Sequence, residues 1–333
     1  MKKIFKIIGI IIIVILVLIA GVFGYTKIKE MLKDNERKNA NTLMEYVKTH
    51  SYEYIDNSDE TMYFTAESLM CDTLNILDNT NIKGIITNYG TNMTLLLNDN
   101  SYISLSMDET KLYSNNQHCK KTDINIDIDI KDIKWSDNGE LYYLISDDNK
   151  IYYNYTDSEG KFNFKEMQTT NDLISYILLK DDIQGIITYN NGTYPYAIVL
   201  KKDGSLYKQK YNGDYDYNTF ETTYSTISDE LFLSNNEYGN ILNATLNYNY
   251  DKDEYEINTL ITDKGYYYYG EVKTEECTKY QDIKCEKKIM ESEIYKTFKK
   301  DIKYIGNTYT ILNDNSIIQT SYLTYPLDKD LKN

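Results

Sequence analysis

Hydrophobic and polar positions alternate along this chain in three regimes. The first is an apolar run at residues 7–23 with no charge inside it, preceded by Lys2, Lys3 and Lys6. At a rise of 1.5 Å per residue, about 20 such residues cross a hydrocarbon core of roughly 30 Å. Residues 1–25 are therefore read as an N-terminal signal anchor, with residues 4–25 contacting the membrane. A cleaved signal peptide is the alternative, with the cut after Gly24; its apolar region usually spans only about 7 to 15 residues, so the length favours an uncleaved anchor. Orientation draws on opposing signals. Lys27, Lys29, Lys33, Arg37 and Lys38 follow the run, and a count of basic residues would hold that flank in the cytoplasm. The short positive amino terminus has the form of a secretion signal, and on that ground the large domain is expected outside the cell.

The second regime, residues 26–50, has dense mixed charge and no Gly or Pro, with Leu43, Tyr46 and Val47 at helical spacing. A helical stalk is expected there. It lacks the sustained apolar heptads of a dimerising coiled coil.

The third regime fills residues 51–333 and repeats. Each unit opens with apolar residues three apart: Ile82 and Ile85, Ile130 and Ile133, Ile183 and Ile186, Ile241 and Ala244, Ile302 and Ile305. A second apolar segment follows at 93–97, 141–145, 197–200, 257–261 and 309–312. Then comes an Asp-led turn: Asp99-Asn100, Asp148-Asn149, Asp203-Gly204, Asp263-Lys264-Gly265 and Asp314-Asn315. A third segment closes the unit at 102–105, 151–155, 206–211, 266–269 and 317–322. Asn and Gly tolerate the positive φ that tight hairpins demand, so each unit predicts antiparallel strands. The period leaves room for a fourth strand, and four-stranded units recurring at about 40 to 50 residues are the pattern of a β-propeller. With a degenerate unit at 52–77, about six blades are expected; a β-sandwich or another repeated β fold is the alternative.

Two stretches carry a family resemblance. The segment Ile130-Lys-Asp-Ile-Lys-Trp135-Ser-Asp-Asn-Gly139-Glu-Leu-Tyr-Tyr-Leu-Ile145 resembles a blade of the TolB-type and dipeptidyl-peptidase-type propellers. Ala197-Ile-Val-Leu-Lys-Lys-Asp203-Gly204-Ser-Leu-Tyr207 is similar to the repeats of chromosome-condensation-regulator propellers. Each covers about one blade, so the resemblance implies a propeller class and no single family.

Composition narrows the partners. The formal net charge is −15, which opposes nucleic acid and anionic lipid surfaces. The abundance of Tyr, Asn, Ile, Lys and Asp follows AT-rich codons and points to a low-GC bacterium, so the 36 tyrosines are not in themselves a sugar-binding signal. Cys71, Cys119, Cys277 and Cys285 contain no C-x-x-C pair; Cys277 and Cys285 are close enough in sequence to close a loop disulfide in an oxidising compartment.

Catalytic signatures are sparse. There is no G-x-S-x-G elbow, and His50 and His118 are the only histidines. Asp214, Asp216 and Asn218 are spaced like the first half of an EF-hand loop and are a candidate calcium site, although Thr219 and Ser225 stand where that loop needs Gly and Glu. Asp123, Asn125, Asp127 and Asp129 alternate with isoleucines and predict a strand with one acidic face. Tyr248 and Tyr250, and Tyr267 and Tyr269, are candidate ligand-stacking pairs, each pair sharing one face of a strand. The expectation is a membrane-anchored, extracytoplasmic domain that binds or scaffolds a protein or glycan of the cell envelope. A glycan-active enzyme working through paired carboxylates, or a ligand sensor, is the alternative.

Overall fold

The structure is a computed structural model that describes residues 40–50, 63–64, 77, 81–88, 92–106, 120–124, 126–136, 141–156, 162–168, 172–250, 252, 254–271 and 287–324. The chain divides into two units, residues 62–325 and a second formed by residues 1–61 with 326–333. The apolar run and all four cysteines lie outside the described residues, among which no helix is long and apolar enough to cross a membrane. In the smaller unit, helix α1 (Leu43–His50) places Leu43, Tyr46 and Val47 on one buried face, as their spacing requires. The Glu45 carboxylate accepts the Asn41 and Thr42 amides while the Thr42 hydroxyl accepts the Glu45 amide, so the first turn is capped from both sides.

The larger unit is mostly β, arranged as successive four-stranded antiparallel meanders. The first holds β2 (Ile82–Asn88), β3 (Asn92–Leu97), β4 (Ser101–Ser106) and β5 (Lys121–Asp123). The second holds β6 (Ile130–Ser136), β7 (Leu141–Ser146), β8 (Ile151–Thr156) and β9 (Phe162–Glu166). After helix α2 (Leu173–Leu178) the third holds β10 (Ile183–Asn190), β11 (Tyr196–Lys201), β12 (Leu206–Asp216) and β13 (Glu221–Leu233). Helix α3 (Asn235–Tyr238) leads to β14 (Ile241–Asn249), β15 (Glu254–Thr262), β16 (Tyr266–Glu271) and β17 (Lys287–Glu291). Helix α4 (Glu293–Phe298) precedes β18 (Ile302–Ile305), β19 (Tyr309–Leu312) and β20 (Ile317–Gln319). The fourth strand of this last sheet is β1 (Tyr63–Phe64), from the opposite end of the unit, antiparallel to β20. The described residues thus give five meanders rather than six. The segment read as a degenerate sixth unit contributes β1, an edge strand of the fifth.

One irregularity recurs at the same place in all five. The first strand is bulged immediately after its opening Ile, between Ile82 and Gly84, Ile130 and Asp132, Ile183 and Gly185, Ile241 and Asn243, and Ile302 and Tyr304. The bulge explains the apolar spacing of three. In a regular strand such residues face opposite sides, and one inserted residue brings them back to the same side. Ile82 and Ile85 accordingly share one apolar cluster, Ile183 and Ile186 a second, and Ile241 and Ala244 a third. A backbone bond repeats beside each bulge, from the residue after the second strand to the carbonyl just before the first. Its members are Asn98 to Asn81 (2.9 Å), Asp147 to Asp129 (3.0 Å), Lys202 to Asp182 (2.8 Å), Asp263 to Asn240 (3.0 Å) and Asn313 to Asp301 (2.8 Å).

The Asp-led turns behave as their residues dictate. Asn100, Asn149, Gly204 and Asn315 all take positive φ, between 60° and 79°. The fourth turn is held instead by the Thr262 hydroxyl, which accepts the amides of Lys264 (3.1 Å) and Gly265 (3.0 Å).

Packing between meanders uses missing side chains. β6 and β10 pair in parallel through Gly185 with Trp135 and Ile186 with Ser136, which merges the second and third meanders into one eight-stranded sheet. A Cβ on Gly185 would lie 2.3 Å from the Trp135 indole, so the ring rests on bare backbone. Gly84 plays the same part for Tyr142. One cluster joins Ile86, Leu96 and Tyr102 of the first meander to Trp135 and Tyr142 of the second, Ile198 and Leu200 of the third, and Ile241 and Leu260 of the fourth. Another joins Leu95 and Ile103 of the first to Ile311 and Ile317 of the fifth. The first strands of all five meanders also line a single cavity of about 530 Å³, through Lys83, Trp135, Gln184, Asn243 and Tyr304.

Candidate tyrosine groove

The third meander departs from the repeat. β12 and β13 have 11 and 13 residues, whereas β11 has 6 and pairs only with Leu206 to Lys210 of β12. Beyond that point β12 and β13 pair with each other alone, so their ends project as a two-stranded ribbon. The ribbon carries Tyr215, Tyr217, Phe220 and Ile227, all exposed, and Tyr194 in the β10–β11 loop is 86% exposed. Exposed aromatic residues in such numbers are unusual for a surface with no partner.

Between the ribbon, that loop and the β14–β15 hairpin lies a groove of about 1070 Å³. Seven tyrosines line it: Tyr194, Tyr196, Tyr211, Tyr215, Tyr224, Tyr248 and Tyr255. Among the described residues, amide side chains come from Asn190, Asn191 and Asn212, cations from Lys208 and Lys210, and one carboxylate from Glu254. The rings hold each other in place. Tyr196 meets Tyr255 at 6.2 Å between centroids, Tyr255 meets Tyr248 at 5.0 Å, and Tyr248 meets Tyr250 at 5.1 Å, all near edge-to-face. Behind them Tyr176 packs edge-to-face on Tyr211 at 5.9 Å, and Lys180 sits 4.6 Å above the Tyr176 ring. The Tyr224 hydroxyl donates to Asn191 Oδ1 at 2.8 Å, tying the ribbon to the loop. Lys208 Nζ lies 5.5 Å from the Tyr196 centroid. Burial, then the hydrogen bond with Tyr255, pushes the Tyr196 phenol up to about 12. It stays a neutral donor across the physiological range.

Of the four tyrosines singled out by sequence, Tyr248 lines the groove, and Tyr250, 88% exposed, extends the ring chain from it. Tyr267 and Tyr269 lie on β16, outside that lining, with Tyr267 packed edge-to-face on Tyr238 at 5.1 Å. Spacing along a strand carries no information on which pair meets the loop of a neighbouring meander. Tyr194, Tyr196, Tyr224 and Tyr255 were not singled out. For Tyr224, on the ribbon, a signal was present in the unusual strand length after Asp203-Gly204, since polar and aromatic residues continue to Asp216 without a turn; no local pattern marks Tyr194, Tyr196 and Tyr255.

Asp214 and Asp216 lie at the far end of β12 and Asn218 in the hairpin turn. Asp216 Oδ1 accepts both the Asn218 amide (2.7 Å) and its side-chain nitrogen (3.1 Å), which holds its carboxyl below the usual range, while Asp214 accepts from Asn212 at 2.8 Å. These carboxylates are engaged in shaping the hairpin. Among the described residues, no group of three or more His, Cys, Asp and Glu side chains is placed to hold a metal ion. The expected acidic strand from Asp123 to Asp129 is cut short: β5 ends at Asp123, and Asp127 and Ile128 form a bend. The Cys277–Cys285 pair lies outside the described residues. No protein-family model matches this sequence, and no curated protein matches it.

Proposed function

We propose that this chain is a membrane-anchored glycan-binding protein whose large domain is a five-bladed β-propeller facing the cell envelope. The bladed reading is supported by five meanders with equivalent bulges, by first strands that share one cavity, and by a last sheet completed from the N-terminal side. A ring closed by pairing the two ends of a domain leaves no free blade.

The observation that carries the binding role is the groove lined by seven tyrosines and three asparagines. Phenol rings offer flat apolar faces and a hydroxyl at small entropic cost, and asparagine amides donate and accept at once. Sugars present the matching chemistry of C–H faces edged by hydroxyls. Hydrolysis in the usual manner needs two carboxylates flanking the bond, and among the described residues the lining carries that of Glu254 alone. The groove therefore supports binding over cleavage.

The test is calorimetric titration of the full-length chain in detergent with soluble cell-wall oligosaccharides of increasing length. Affinity that grows with length and falls at least tenfold in Tyr196→Ala supports the reading. Absence of sugar binding, or tighter binding of an unglycosylated peptide in the same groove, overturns it. Protease shaving of intact cells checks the location: a domain that resists digestion until the cells are lysed rules out an envelope ligand.

A further inference from the structure

The cavity shared by the five first strands has a chemistry opposite to that of the chain. In a protein of net charge −15 with 51 acidic residues, its lining among the described residues contains Lys83 and Lys303 and no Asp or Glu. The lysines are placed there by the recurrent bulge. Its inserted residue is Lys83, Lys131, Gln184, Leu242 or Lys303, and all but Lys131 line the cavity. Lys131 turns instead to Asp181, 3.3 Å away. The acid that acts most on Lys83 is Asp132, whose carboxylate is taken by Lys202 at 3.0 Å and by the Ile133 amide at 2.9 Å.

Lys83 is partly buried, and its ammonium makes no hydrogen bond or ion pair among the described residues. Gln184, also partly buried, spends its side-chain amide on no hydrogen bond there either. A partly desolvated cation costs free energy unless an anion or water meets it, and burial holds the Lys83 ammonium below its ordinary range. Around these groups stand Trp135, Tyr142, Ile85, Ile133 and Ile261. About 530 Å³ is within the range that encloses a metabolite-sized molecule.

We infer that the axial cavity is a second binding site, distinct from the tyrosine groove, for a small organic oxyanion. Its carboxylate or phosphate meets Lys83 and Lys303, and its apolar body lies against Trp135. Gln184 supplies an amide donor beside the anion. Asn98, Asn307 and Thr308 make the remaining wall polar.

The chain's single tryptophan is the reporter, because Trp135 lines this cavity. Full-length protein is titrated with benzoate and phenyl phosphate, with benzyl alcohol and benzylamine as neutral and cationic counterparts. Saturable changes in Trp135 emission with the anions, at least tenfold weaker for the counterparts and in Lys83→Met, are expected; the preferred anion separates carboxylate from phosphate. Quenching gives a second reading that needs no variant, with iodide expected to exceed caesium despite the acidic surface. Equal affinity for benzyl alcohol, no saturable response to either anion, or caesium quenching at least as strong as iodide overturns the proposal. Failure of sugar binding at the groove leaves this outcome unaffected, since the two sites share no lining residue.

Discussion

The cavity shared by the first strands and the tyrosine groove are built by opposite uses of the same repeat. The cavity is lined from the bulged stretch of the first strands: Lys83, Gln184, Leu242 and Lys303 at the inserted position, and Ile85, Ile133 and Ile305 at the apolar residue three along. The groove is made where one meander breaks the pattern, with strands twice the usual length and exposed rings. Repetition fixes a frame, and the departure from it supplies a surface. A change at a repeated position should therefore act on the whole fold, while a change in the groove should act on binding alone.

The sharpest break is expected at the joint between the second and third meanders. Trp135→Ala removes a buried indole that rests on Gly185 and should cost about 3 to 5 kcal/mol, read as a fall in the chemical denaturation midpoint. Gly185→Ala should cost about 1 to 3 kcal/mol through overpacking, because its Cβ would strike the fused part of the indole. In the double variant the Gly185→Ala cost should vanish, since nothing is left to strike. Gly84→Ala should cost less than Gly185→Ala: it meets the Tyr142 hydroxyl, at the end of a side chain that can swing aside.

Lysines inside the frame give the next largest effects. The Lys134 ammonium, buried, donates to the carbonyls of Leu178 and Lys180 and closes the end of α2. Lys134→Met removes both bonds, leaving the Lys180 carbonyl only the long bond from the Ile183 amide (3.4 Å), and should cost about 1 to 3 kcal/mol by thermal or chemical unfolding. Lys83 tests the pH sign. Burial lowers its folded value below the ordinary 10.5, so between the two values the unfolded chain binds the proton more strongly. Stability of the native chain relative to Lys83→Met should therefore rise as pH climbs through that window. A fall over the same window would show that the folded state stabilises the ammonium instead.

Much of the frame was legible because it obeys local rules. Asp-Asn and Asp-Gly announced the hairpins, and four of the five turns carry the expected positive φ. The apolar spacing marked each first strand, although its cause, a bulge, became apparent only from the pairing. The number of meanders was misread because β1 is two residues long and joins a strand about 250 positions away, a pairing no local pattern encodes. The groove was half legible. Tyr248 and Tyr250 share a face by period-2 geometry, but their meeting with Tyr196 and the Asn190–Asn191 loop is a contact between meanders.

Within the groove, effects should move from stability to affinity. Tyr196→Ala should weaken sugar binding at least tenfold, about 1.4 kcal/mol or more, by calorimetry, because it removes the ring that anchors the chain to Tyr255. Tyr267→Ala, outside the lining, should leave that affinity unchanged while disturbing packing against Tyr238. Equal losses in both would mean that the two regions are not separable.

The smallest expected effect draws the line most finely. Phe220, at the hairpin tip, is 75% exposed and holds φ at 58°, where a bulky side chain is strained by about 1 to 2 kcal/mol. Its amide closes the turn on the Asp216 carbonyl at 2.8 Å, which glycine would do without strain. Phe220→Gly relieves that strain but adds freedom to the unfolded chain worth roughly 0.5 to 1 kcal/mol. The net change should be a gain of about 1 kcal/mol or less in the unfolding midpoint, with a measurable loss of sugar affinity. Strain retained in an exposed aromatic that packing does not require is explained if the ring serves a ligand. If Phe220→Gly lowers stability and spares binding, the tip belongs to the frame and the division between frame and surface must be drawn further in.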